Sequence, residues 1–141
     1  MTTTLSTPRD AASTLQTAAG PLVARVLLAP LFLLSGVSKL TASTATIGYI
    51  ASVGLPFPEV AFAGAVAVEV IGGLLLIAGY QTRWVALALA VFTLVTAFLF
   101  HSALGDQNQL IHFLKNIAIT GGLIQVASLG AGRWSIDGRR A

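Results

Sequence analysis

The sequence predicts an all-α integral membrane four-helix bundle, and three observations carry that prediction. Of 141 residues, 55% are hydrophobic and 9% charged, too few charges to solvate the surface of a soluble domain of this length. Four apolar runs, at 21–37, 60–80, 84–100 and 110–130, approach or reach the roughly 20 residues needed to cross a hydrocarbon core of about 30 Å. Besides Arg25 near the start of the first, two of these runs hold ionisable residues well inside: Glu69 in the second, His112 and Lys115 in the fourth. A charge at bilayer depth costs at least ~2.5 to 3.5 kcal/mol, so such residues face the bundle interior and meet a partner or a water-filled cavity.

The elements follow in order. Residues 1–20, rich in Thr, Ser and Ala, read as a flexible N-terminal tail, 21–130 as the transmembrane domain and 131–141 as a basic tail. The first run lies behind Arg9 and Arg25, as a signal peptide would. Yet it exceeds the 7 to 15 apolar residues typical of such a segment and lacks an A-x-A-like cleavage site, so it reads as a span. In the first loop, Ile47, Tyr49, Ile50 and Val53 precede Pro56-Phe57-Pro58. That apolar stretch with a proline stop predicts a short helix at the outer interface or across the bundle mouth, placed to admit a lipid-soluble ligand laterally.

Basic residues set the expected orientation, since Lys and Arg accumulate in cytoplasmic loops. Arg9, Arg25, Arg83, Arg133, Arg139 and Arg140 collect on one side, with Lys39 and Lys115 toward the other, so both termini are expected in the cytoplasm of an inner-membrane protein. Arg25 and Arg83 read first as determinants of that topology. Trp84 and Trp134, each after an arginine, are expected as anchors at the same interface. The net charge of +3 thus reflects topology, and no nucleic-acid partner is expected.

Helical spacing decides which polar residues converge. Arg25, Ala29, Phe32, Gly36 and Lys39 form one stripe of the first span; Glu69, Gly72, Gly73, Leu76 and Tyr80 form one of the second. The third span offers Thr93, Thr96 and terminal His101; the fourth presents His112, Lys115, Asn116, Ile119 and Gly122 together. The glycine pairs at 72–73 and 121–122 suit close helix approach. At 1.5 Å per residue, Lys115 falls roughly 8 Å and Glu69 roughly 14 Å inside the outer boundary, within reach of one another. The expected centre is therefore a buried network of Glu69, Lys115 and Asn116, with His112, His101 and Lys39 as its more hydrated mouth. Glu69, Lys115 and His112 are the candidate catalytic groups, and Lys39, His101 and Asn116 the candidate ligand-binding ones. Each has a structural counterpart: Glu69 as a polar contact fixing helix register, Lys39 as a snorkelling span end, His101 as a cap.

Without cysteine, the chain runs no thiol–disulfide exchange and holds no iron–sulfur cluster by thiolates. A haem is not expected either, because of the two histidines only His112 lies well within a span. No metal-ligand cluster, phosphate-binding glycine loop or nucleophile motif stands out. Glu69, Gly72-Gly73, Gly79 and Arg83 loosely match Asn116, Gly121-Gly122, Gly130 and Arg133, a faint internal repeat that shared topology and packing would themselves produce.

The segments from Arg25 through Ser38-Lys39, Glu69-Val70-Ile71-Gly72-Gly73 with Gly79 and Thr82-Arg83, and Lys115-Asn116 ahead of Gly121-Gly122 together resemble the DoxX family of small bacterial membrane proteins. The resemblance covers nearly all of 21–133, with Ala29 where that family often has glycine. It implies a four-helix membrane bundle and association with quinone-linked oxidoreductase systems. Two classes of function stay open. In one, the outer cluster binds a quinone head group and Glu69 passes protons, with electrons supplied by a partner oxidoreductase. In the other, the protein is a non-catalytic anchor whose buried polar residues specify packing and a docking surface. A transporter is a third, disfavoured by the small bundle and the want of broken helices, although a homo-oligomer would alter that balance.

Overall fold

The computed structural model describes Ser13 and residues 19–140, so the expected tail over 1–20, with Arg9, lies outside the described residues except for Ser13, Ala19 and Gly20. Among the described residues six helices run in order: α1 (Gly20–Thr41), α2 (Ser43–Ser52), α3 (Pro58–Ala78), α4 (Thr82–Phe100), α5 (Gln107–Leu129) and α6 (Ile136–Arg140). Of these, α1, α3, α4 and α5 are long and apolar enough to cross a membrane. The chain places helix signals where the backbone needs them. Proline begins α1 and α3 in the first turn, where its missing N–H loses no bond. The Asp106 carboxylate caps α5 by accepting from the Gln109 N–H at 2.9 Å. Gly79 closes α3 in the left-handed region, φ +68°, which glycine adopts without strain. Pro30 lies inside α1, as proline does in membrane helices whose freed carbonyl is re-satisfied locally.

The bundle pairs α1 with α3 and α4 with α5, while α2 lies against α3 and α1. Its core is Ala29, Phe32, Leu76, Ala86, Leu89, Ala90, Leu123, Val126 and Ala127. The predicted stripe of α1 is the buried one: Arg25, Ala29, Phe32 and Gly36 all face inward. Small residues set the α1–α3 approach. A Cβ on Gly73 would fall 2.8 Å from a Leu33 methyl and 3.4 Å from the Ala29 carbonyl oxygen, and one on Gly36 would fall 2.7 Å from Val70. The second glycine pair does not repeat the device: Gly121 meets nothing within 4 Å and Gly122 only Leu28 at 3.7 Å, because α5 packs through Thr120, Leu123, Val126 and Ala127. Leu27, Leu34 and Val91 are more than 60% exposed on the outside, an inversion of soluble packing that suits contact with lipid.

Residues 131–140 fold across the arginine end of the bundle. Ala131 and Ser135 are buried there, and the Asp137 N–H donates to the Gly79 carbonyl at 2.9 Å. Arg25, expected to mark topology, is instead fully buried: Nη1 donates to the Ile77 carbonyl at 2.8 Å and the Leu76 carbonyl at 3.3 Å, and Nη2 to the Trp134 carbonyl at 2.7 Å. The correction has a physical basis. The last carbonyls of a helix lack intrahelical partners and carry the negative end of its dipole, so a guanidinium is worth more there than in water. Gly79 makes the room, since a Cβ on it would collide with Ser135 and the Arg25 guanidinium.

Asp137 pins the strap to the start of α4, its two oxygens accepting from the Gln81 and Thr82 N–H groups at 2.8 Å. Burial raises its carboxyl pKa, but these bonds and the Arg140 charge outweigh that and hold it below the usual carboxylate range. A depressed folded pKa contributes stability that is complete above the unfolded value of roughly 3.9 and is lost as pH falls through the folded one. The thermal-stability gap between wild type and Asp137→Asn is therefore expected to be constant near neutrality and to close on acidification below about pH 4. Melting curves in detergent check this; a gap independent of pH would show that the charge does not hold the strap.

Candidate functional site

At the opposite end, α1 to α5 enclose a partly open cavity of ≈ 290 Å³ with an aromatic wall and a polar floor. Phe32, Tyr49, Phe92 and Phe100 supply the wall; Ser35, Lys39, Glu69 and Asn116 supply the polar groups. Tyr49 of α2 closes one side, its hydroxyl donating to the Phe100 carbonyl at 3.1 Å and its ring 5.3 Å from that of Phe100. Pro56-Phe57-Pro58 links α2, which carries Tyr49, to α3.

Glu69 is 4% exposed and its counter-ion is Lys39, whose Nζ lies 2.8 and 2.9 Å from the two carboxylate oxygens. Nζ also donates to Ser35 Oγ at 2.7 Å, and that hydroxyl donates to Glu69 Oε1 at 3.0 Å. The expected pairing of Glu69 with Lys115 is thereby corrected: Lys115 is exposed on α5 and makes no ion pair among the described residues. Side-chain direction explains the reversal. Helical side chains lean toward their own N-terminus. α1 runs from the arginine end toward the cavity and continues to Thr41, so Lys39 lies inside the helix and leans back into the bundle. α5 runs the other way, so Lys115 leans outward to the boundary. Its azimuth also differs, because Thr120 and Leu123, in line with Asn116, mark the inward face.

His101 lines the cavity, with Nδ1 2.9 Å from Gln109 Oε1. His112 does not line it but stacks behind His101, ring centroids 5.1 Å apart and planes 21° from parallel. Of the six candidates, Lys39, Glu69, His101 and Asn116 share the cavity, and His112 and Lys115 stand outside it. Sequence reasoning missed Ser35 and the aromatic wall. Ser35 sits at i, i+4 from Lys39 and i, i+3 from Phe32, a spacing that would have placed it on the same stripe.

Donor accounting shows what the cavity offers a ligand. The three N–H bonds of the Lys39 ammonium are all engaged, and the one hydroxyl proton of Ser35 is given to Glu69. Thr93 and Thr96 return their hydroxyl protons to their own helix at Leu89 and Thr93. The Asn116 amide alone among these polar side chains makes no hydrogen bond within the described residues. The cavity thus pairs a closed, charge-balanced floor with one uncommitted amide and aromatic faces.

Comparison with known proteins gives the lineage. A family model described as DoxX matches residues 20–102. The chain is similar to two proteins of Escherichia coli (strain K12): inner membrane protein YqjF, 40% identical over 121 residues, covering 84% of this chain and 89% of that one, and inner membrane protein YphA, 34% identical over 123 residues, covering 84% and 88%. No solved structure matches.

Proposed function

The chain belongs to the DoxX family and is a multi-pass inner membrane protein, and on that premise we propose that it serves a quinone-linked membrane oxidoreductase by holding a quinone head group in the cavity between α1, α2, α3, α4 and α5. The observation that carries this reading is the uncommitted Asn116 amide opposite a satisfied ion pair, within aromatic walls. At ≈ 290 Å³ the space lies just under the roughly 300 to 1,000 Å³ of small-molecule sites, the scale of a substituted ring without its tail. These residues fit such a group: Phe32, Phe92 and Phe100 offer ring faces and Asn116 donates to a carbonyl oxygen.

Reduction of a quinone to a quinol takes two electrons and two protons. In this reading the electrons come from a partner protein, and the chain's residues handle charge and protons. With a quinone bound, the Lys39 ammonium would stabilise negative charge in the cavity, and Glu69 with Ser35 would form the relay that passes the two protons in turn. The arginine bias supports cytoplasmic termini, and in this reading the cavity then lies in the outer half of the bilayer.

Binding of a short-tailed ubiquinone analogue to the detergent-purified protein tests this. Saturable binding is expected for wild type, a loss of tenfold or more for Asn116→Leu, and little change for Lys115→Met, with thermal unfolding showing all three folded. No saturable binding to folded wild type would overturn the reading in favour of the non-catalytic anchor.

A further inference from the structure

The arginine end holds a second, larger concavity that the cavity's function does not use. It is an open groove of ≈ 980 Å³ between the start of α1, the start of α4, the end of α5 and the Gly130–Arg133 turn. Arg83 and Arg133 line it, both exposed, and neither forms a hydrogen bond or ion pair among the described residues. The Arg83 guanidinium rests over Gly130, where a Cβ would lie 3.4 Å from Nε and 3.6 Å from Nη2. Gly130 sits at φ +82°, so the turn that leads to Arg133, on the same groove as Arg83, depends on glycine. The one carboxylate of the groove, Asp137, is already engaged by the Gln81 and Thr82 N–H groups and by the Arg140 charge. The remaining wall is amphiphilic: Trp84 is 71% and Leu129 56% exposed beside the two cations.

We propose that this groove is a binding site for an anionic phospholipid, with its phosphodiester held between Arg83 and Arg133 and an acyl chain along Trp84 and Leu129. Charge and shape both fit such a lipid. Two guanidiniums with no ion pair among the described residues match a phosphodiester, which accepts forked hydrogen bonds from each. A free phosphate uses only that polar half, whereas a lipid also covers the apolar wall, and exposed tryptophan marks the depth at which head groups lie. Basic pockets between membrane helices take head groups for the same reasons. The site is at the far end of the bundle from the quinone cavity and stands or falls independently of it.

The test is native mass spectrometry of the purified protein titrated with phosphatidylglycerol or phosphatidylcholine. Wild type is expected to retain phosphatidylglycerol about tenfold better. Arg83→Gln and Arg133→Gln are each expected to weaken it about fivefold, while Arg139→Gln, an equal charge loss outside the groove, changes it less than twofold. Millimolar inorganic phosphate is expected not to displace the lipid. An equal effect of Arg139→Gln would mean a diffuse surface charge, displacement by phosphate would mean a free-anion site, and no preference over phosphatidylcholine would mean no site; each overturns the proposal. Because Arg83 packs on Gly130, the exposed Arg133 carries the test should Arg83→Gln fail to fold.

Discussion

Lys39→Met is expected to destabilise the bundle by about 3 kcal/mol, because it leaves the Glu69 carboxylate inside the protein without its counter-ion. Glu69→Gln strands the Lys39 ammonium, which is less enclosed, with 27% of its side chain exposed against 5% for Glu69, so its effect is expected to be smaller. The double variant Lys39→Met/Glu69→Gln removes both charges together and is expected to recover most of the loss, giving a coupling of about 2 kcal/mol or more. Lys115→Met, on the exposed side of α5, is expected to stay within about 0.5 kcal/mol of wild type. Equilibrium unfolding of wild type and the four variants in mixed micelles measures all of these. Additive single effects would show that the 2.8 Å contact carries no coupling energy.

Arg25→Met is expected to have the largest effect, about 3 to 5 kcal/mol. It withdraws charged hydrogen bonds from the Leu76, Ile77 and Trp134 carbonyls, and bonds of that kind contribute about 1.5 to 3 kcal/mol each. Arg25→Lys keeps the charge but not the fork that joins α3 to the strap, so only partial recovery is expected. The loss also has a local signature. The strap over 131–140 should detach, shifting Trp134 emission and opening the Arg133–Trp134 bond to trypsin, while the far cavity keeps its ligand. Wild-type stability in Arg25→Met with a protected strap would show that the carbonyls are satisfied without the guanidinium.

The spans were legible because hydropathy over some 20 residues is a long-range average that no single contact overrides. The inward stripe of α1 was legible for a similar reason: Arg25, Ala29, Phe32 and Gly36 repeat with the helical period, and all four are buried. The Glu69 partner was not. Depth along the bundle makes Lys39 and Lys115 look alike, and choosing between them needs the azimuth of each helix and the direction in which its side chains lean. Arg25 misled in the opposite sense. An arginine at a span end is ordinary topology by sequence, and only the return of residues 131–140 across the end of α3 turns it into a buried cap.

By itself, then, the sequence determined the solvent this protein lives in, the number of its crossings, the inward face of α1 and the presence of buried charge, all of which follow from composition and period. The tertiary structure alone decided which cation neutralises Glu69, that His112 and Lys115 stand outside the cavity, and that the basic C-terminal stretch is a strap. The physical reason is that hydrophobic burial is non-directional and additive along the chain, whereas ion pairs and hydrogen bonds depend on ångström-scale placement of groups far apart in sequence.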